Sequence, residues 1–331
     1  MQKNLGVKVA WVCAAQIACV CLSLEAGAQD LEKVNYLMPA SPTLPSFTPW
    51  VIAQQRGYYA SEGLNVTYQV ARGGVDVAVQ VGAGNAPVGG GIGETTIITR
   101  AQGIPAKVVA VLGGGSFTQL VVHADKGIAG PKDLKGKTIT VLAFQDTSYF
   151  SLLGMLASAG LTKYDVDIQA VGPSGIWQLF AAGKADAMAS TVNWALDARN
   201  AGAKIQIFRS DLYFPSMAQA IIASDEMIAK RPELVRKLVR ATLKGLDDVM
   251  KQGAAVVPDY IAAVPGMKGQ ESFVAEVISP YNDYVYKGQK VLGAMDSDRL
   301  AQVQKFYVAQ GIVAKESPLE ALYTNQFVAG K

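Results

Sequence analysis

From residue 34 onward, short β-rich runs alternate with stretches whose apolar residues recur at helical spacing. A first strand is expected over 34–38, stopped by Pro39-Ala40-Ser41-Pro42, which cannot continue a ladder. A helix over 48–56 follows and ends at Gly57 in the manner of a glycine cap. The run 65–70 alternates Val66, Tyr68 and Val70 as a strand does, and leads into the turn Arg72-Gly73-Gly74. A helix near 76–82, a glycine-rich strand end at 89–93, a helix over 94–102 and a strand over 106–112 complete a first series. After Gly113-Gly114-Gly115 the pattern predicts a strand over 119–123 and then a polar turn, Asp133-Leu134-Lys135-Gly136-Lys137. Strands over 138–142, 166–171 and 185–190 follow, with helices over 148–159 and 176–182 between them. From Ile221 onward the pattern reads as mainly helical. Arg231-Pro232-Glu233 opens a helix, and Leu234, Leu238, Leu246 and Val249 carry its apolar face through to Lys251. Strands alternating with helices predict an α/β architecture with largely parallel sheets.

Composition changes this picture mainly at the start of the chain. Lys3 and Lys8 precede an apolar run from Val9 to Leu24, which has the length of a signal core and is too short to span a bilayer. Ala26-Gly27-Ala28 supplies the small residues a signal peptidase reads, so cleavage is expected after Ala28. A lipid anchor at Cys19 or Cys21 is the rival reading, and neither cysteine follows the Leu-small-small pattern that attachment wants. Removing 28 of 331 residues leaves 303 and takes away Cys13, Cys19 and Cys21. The mature chain would then have no disulfide, no thiolate nucleophile and no cysteine metal site. Cleavage also takes two positive charges and one negative from a net +3, leaving +2. That balance argues for neither nucleic acid nor an anionic membrane. The most apolar later stretch, 104–122, is broken by Lys107, three glycines and Gln119, so no membrane-spanning segment is expected in the mature protein. Its length fits two domains of ordinary size.

The chemistry of catalysis is thinly represented. His123, the one histidine, sits inside an apolar strand and reads as a structural residue. No serine occupies a G-x-S-x-G elbow. Gly113-Gly114-Gly115-Ser116 lacks a Lys-Ser/Thr ending, and Gly89-Gly90-Gly91-Ile92-Gly93 lacks the dinucleotide spacing, so neither is a nucleotide loop. Glycines after a strand instead let backbone approach a ligand or let a hinge turn. No cofactor and no metal are expected, and the reading is of a protein that is not an enzyme.

Four segments then fall in a recognisable order: Thr48-Pro49-Trp50-Val51-Ile52-Ala53 with Gly57-Tyr58-Tyr59-Ala60-Ser61-Glu62-Gly63-Leu64; Arg100-Ala101-Gln102-Gly103-Ile104-Pro105; Asp133-Leu134-Lys135-Gly136-Lys137-Thr138; and Gly183-Lys184-Ala185-Asp186-Ala187. Together they resemble the periplasmic substrate-binding proteins of ABC importers, in the group for sulfonates, nitrate and thiamin-pyrimidine precursors. The resemblance implies the two-lobe periplasmic-binding-protein fold, each lobe a mostly parallel sheet flanked by helices, with a hinged cleft between them. Lobe one would comprise 29–118 and 216–331, with the C-terminal helices, and lobe two 119–215. It also implies a periplasmic protein that hands a small molecule to an ABC permease in the inner membrane. The same group contains synthases of the thiamin pyrimidine, which depend on a cysteine-rich motif and on histidine chemistry that the mature chain lacks. A ligand sensor for a membrane receptor is a third reading.

Ligand contacts are expected in the loops that follow strands, where parallel sheets gather their binding groups. In lobe one these are Ser46, Phe47, Trp50, Arg72, Gly73, Gly93, Glu94 and Thr95; in lobe two Gln145, Asp146, Thr147, Ser148, Ser174, Gly175, Asn193 and Trp194; and Phe214 near the return crossing. Trp50 reads equally as a residue packing helix on sheet, and Thr147-Ser148 reads also as a helix cap. Glu94 and Asp146, if they face inward, favour a ligand with N–H or cationic groups, whereas Arg72 favours an anion. The expected ligand is a planar heteroaromatic or aromatic acid; an aliphatic sulfonate, taurine or nitrate is the alternative.

Overall fold

The computed structural model describes residues 30–328. The leader reading over 1–28, its cleavage point and its three cysteines lie outside these residues. The chain opens with β1 (Glu32–Met38), a 3-10 turn over Pro45–Phe47, α1 (Thr48–Gln55), α2 (Tyr58–Ser61), β2 (Leu64–Val70), α3 (Gly74–Gly82), β3 (Val88–Ile92), α4 (Thr95–Ala101) and β4 (Ala106–Val111). It then builds β5 (Gln119–His123), β6 (Thr138–Val141), α5 (Thr147–Ser158), β7 (Asp167–Ala170), α6 (Gly172–Ala181), β8 (Ala187–Ser190), α7 (Val192–Asn200) and β9 (Ile205–Arg209). Last come β10 (Gln219–Ser224), α8 (Asp225–Lys230), α9 (Pro232–Gln252), α10 (Val257–Ala263), α11 (Glu271–Pro280), α12 (Ser297–Ala309) and α13 (Leu319–Leu322).

These strands make two five-stranded sheets, ordered β2-β1-β3-β10-β4 and β7-β6-β8-β5-β9. In the first, β2, β1 and β3 pair in parallel, while β10 runs antiparallel between β3 and β4. The second repeats the plan, with β5 antiparallel between β8 and β9. The expectation of mostly parallel sheets holds for four strands of each. The fifth strand of each sheet, which makes the sheets mixed, enters directly after the chain crosses from the other sheet. β10 is also a correction, because helix was expected from Ile221. Gln219–Ser224 is a short, wholly buried apolar run, and such a run carries no periodicity to separate strand from helix. Neither α7 nor β9 was anticipated.

Burial follows position in the sheet. β2, at an edge, alternates buried Leu64 and Val66 with exposed Asn65 and Thr67, whereas β3 is buried at every residue because helices cover both faces. In α9 the expected face, Leu234, Leu238, Leu246 and Val249, is buried. Gly245 lets this helix close onto α1, since a Cβ there would lie 2.2 Å from the Pro49 carbonyl oxygen. His123 stacks on Phe180 with ring centroids 4.1 Å apart, and its Nε2 lies 2.9 Å from the Phe180 carbonyl. It is a packed structural residue.

The first crossing, Gly113-Gly114-Gly115, serves close approach to backbone rather than to a ligand. The Gly114 N–H donates to the Lys287 carbonyl at 3.0 Å and that of Gly115 to the Val285 carbonyl at 2.9 Å. A Cβ on Gly115 would sit 1.7 Å from the Tyr284 carbonyl oxygen, so no other residue fits. Among the described residues no helix is long and apolar enough to cross a membrane.

Candidate functional site

The carboxyl ends of the parallel strands of both sheets face a cleft. On the lobe-one side stand the 3-10 turn with Ser46 and Phe47, Trp50 at the start of α1, and Gly90-Gly91 of β3. On the lobe-two side stand Leu142 after β6, Asp146, Thr147 and Ser148 at the start of α5, and Thr191 and Trp194 at the start of α7. Phe117 and Thr118 of the first crossing and Gln219 of β10 close the back. The enclosed cavity measures about 30 Å³, inside a void of about 520 Å³ that includes its open mouth. The smaller figure is the room of about one water molecule, far below an ordinary ligand pocket.

What holds the lobes together is visible. The N–H groups of Val75 and Asp76, in the first turn of α3, point at the Gln145 carbonyl at 3.1 and 3.4 Å. The Gly74 N–H points at Asp146 Oδ2 at 3.4 Å. The free donors of one helix end thus grip the loop that starts the opposite lobe's helix. Gly73, with φ +109°, makes room: a Cβ there would meet the Asp146 Cα at 2.5 Å. Asp146 also caps α5 by accepting the Ser148 N–H at 2.9 Å. Burial raises its pKa, against the hydrogen bonds from Ser148 and Gly74.

The expected residues thus divide. Ser46, Phe47, Trp50, Asp146, Thr147, Ser148 and Trp194 border the cavity. Arg72 does not; its side chain is 79% exposed, with Asp76 3.6 Å away as its partner. Thr95 Oγ1 accepts the Ile92 N–H at 2.9 Å, and Gly93 packs on Met217. Ser174 is exposed and Gly175 half-buried in the first turn of α6. Asn193 is buried beside the cavity wall, its Oδ1 receiving the Thr191 hydroxyl at 2.7 Å. Phe214 stacks on Phe306 at 5.7 Å and fills the space over Gly154.

Glu94 has a different place. It is 0% exposed and accepts the Ser216 hydroxyl at 2.9 Å and the Met217 N–H at 3.1 Å, both on the return crossing. Burial pushes its carboxyl up to about 7, opposed by these bonds and by the nearby Arg299 guanidinium. Arg299, from α12, donates to the carbonyls of Gly114, Pro215 and Ser216, and so ties both crossings together. Ser116 Oγ donates to Ser216 Oγ at 3.1 Å, linking the crossings directly.

Phe117, Thr118, Thr191 and Gln219 were not anticipated from the sequence. Thr191 directly follows β8, in the kind of loop where contacts were expected; Phe117, Thr118 and Gln219 instead lie at or just before the start of an antiparallel strand. A strand that runs against its neighbours begins where they end, so the first residues of β5 and β10, and those just before them, reach the same edge. The signal was the antiparallel pairing, which no local pattern discloses.

Residues 44–255 match the family described as NMT1/THI5 like. The chain is 26% identical over 309 residues to the riboflavin-binding protein RibY of Chloroflexus aurantiacus, covering 91% of this chain and 87% of that one. It is 25% identical over 324 residues to the 4-amino-5-hydroxymethyl-2-methylpyrimidine phosphate synthase of Aspergillus parasiticus, covering 90% and 88%. Among solved structures, the alkanesulfonate-binding protein SsuA from Xanthomonas axonopodis pv. citri, bound to MOPS, superposes with a TM-score of 0.69 at 16% identity, covering 91% of this chain and all of that one. Likeness at that identity speaks to the fold alone.

Proposed function

Because the chain belongs to the NMT1/THI5-like family, we propose that it is an extracytoplasmic solute-binding protein that closes its two lobes over a small planar heteroaromatic molecule and delivers it to an ABC permease. The fold is that of periplasmic binding proteins. One observation carries the choice of ligand. Phe47, Trp50, Phe117 and Trp194 wall the cavity, and its lining holds no Lys, Arg or His among the described residues. Asp146 is the lining's single ionisable group. Aromatic walls suit a flat ring system. A sulfonate or nitrate would meet a buried carboxylate with no cation to offset it. Taurine and alkanesulfonates, offered as the alternative from the sequence, fit this lining poorly, and Arg72 is turned away from it.

The fungal relative named as a synthase makes catalysis the rival reading. Against it, all three cysteines fall at Cys13, Cys19 and Cys21, ahead of the fold, and His123 is tied to Phe180 away from the cavity. Export through the leader over 1–28 and partnership with a permease belong to the same proposal. A thermal-shift panel of riboflavin, 4-amino-5-hydroxymethyl-2-methylpyrimidine, taurine, an alkanesulfonate and nitrate tests it. A ligand that binds only the folded state raises the melting temperature. A rise with either heterocycle and none with the anions is expected; a rise with nitrate or taurine alone defeats the planar-ligand reading. Turnover of either heterocycle by the purified protein defeats the binding-protein reading.

A further inference from the structure

The two strands that run against their sheets open on the same residue type, Gln119 in β5 and Gln219 in β10. Each stands at the cleft edge. Gln219 is opposite Ile92, the last residue of β3, and Gln119 is opposite Ser190 and Arg209, the last residues of β8 and β9. Both are buried, at 2% and 1% exposure respectively, and Gln219 borders the cavity.

The Gln219 amide is oriented without ambiguity. Its Nε2 donates to the Ser46 carbonyl oxygen at 2.9 Å, and a carbonyl can only accept. Its other atom, Oε1, is therefore an acceptor, and no described residue gives it a donor. A buried amide oxygen left in that condition is destabilising and rare in native proteins. Three of the hydroxyls that border the cavity are committed elsewhere, while that of Ser46 makes no hydrogen bond among the described residues. Thr191 donates to Asn193, Ser148 to Asp146, and Thr118 is engaged with Ser116, Ser151 and Ser210. The Trp50 indole N–H is itself without a partner among the described residues, and its ring meets Tyr36 edge-on in the core, with centroids 6.4 Å apart.

We propose that Gln219 is a specificity-determining residue of the cleft: its side-chain oxygen, held in place by Ser46, takes an N–H from the edge of the bound ring. This rests on the reading of the cleft as a site for a planar heterocycle. Gln219, on the inserted antiparallel strand, borders the same space as Phe47 and Trp50. A site built around a buried acceptor rejects an analogue that lacks the donor far more strongly than a purely apolar slot can. The selected class is thus a ring bearing N–H, such as a ring imide or an exocyclic amine, over its N-methylated counterpart.

The test is a cycle in which protein and ligand are each altered. Binding of riboflavin and 3-methylriboflavin, and of 4-amino-5-hydroxymethyl-2-methylpyrimidine and its N,N-dimethyl analogue, is measured by calorimetry on the wild type and on Gln219→Met. The wild type is expected to bind the N–H form of at least one pair about tenfold or more tightly. Gln219→Met is expected to bring that form down to the affinity of its methylated partner. Equal affinity of the wild type for both members of every pair that binds overturns the role of Gln219 and leaves the planar-ligand reading standing. An equal loss for both members in Gln219→Met shows a structural role and overturns it likewise. Should Gln219→Met fail to give a cooperative melt, the wild-type comparison decides alone. Binding of neither heterocycle removes the reading and the inference together.

Discussion

Glu94 has no surface in water, yet it sits between a hydroxyl and an N–H of the return crossing. Unfolded, such a carboxyl titrates near its ordinary 4.5; folded, burial holds it near 7. Between those values the native chain carries more protons than the unfolded one. Its contribution is therefore fully present below about 4.5 and is lost as pH rises through about 7, beyond which it is flat. Chemical denaturation of the wild type and of Glu94→Gln from pH 5 to 8 should show the wild type losing about 2.5 kcal/mol relative to the variant over that interval. Parallel curves for the two proteins would remove Glu94 as the cause. The sequence marked Glu94 because it precedes a helix near a strand end. Its partners, Ser216 and Met217, lie more than a hundred residues away, and no periodicity reports such a meeting. Trp194 was legible for the opposite reason, since a polar strand end followed by an aromatic is a local pattern.

At the scale of elements, strands and helices with one clear apolar face were readable, as the edge strand β2 and the helix α9 show. The elements missed were those whose identity is settled by neighbours, β10 above all. The contact between α3 and the start of α5 is likewise a product of assembly. Gly73 appeared in the sequence as a turn glycine, but its positive φ and the nearness of Asp146 make it one of the points where the lobes touch. Gly73→Ala puts a Cβ into the Asp146 backbone and should hold the lobes apart. Small-angle scattering is expected to give a larger radius of gyration than for the wild type under the same conditions. An unchanged profile would mean that this contact does not set the closed distance.

For the molecule as a whole, two crossings carry the chain between the sheets, and Arg299 binds carbonyl oxygens of both. Arg299→Met should leave those acceptors without donors and lower stability by about 2 kcal/mol, read as a lower urea midpoint. A midpoint equal to the wild type's would show that the guanidinium contributes nothing net. The position of β10 bears on something else, the order in which the protein is made. β4 joins the first sheet only through β10, so until residues 219–224 emerge, β3 and β4 stand with bare edges one strand apart. All five strands of the second sheet, 119–209, lie together in the chain and can pair earlier. The inner lobe is thus free to fold while the outer one waits, and during that wait the nascent chain carries two unpaired strand edges that other chains could occupy.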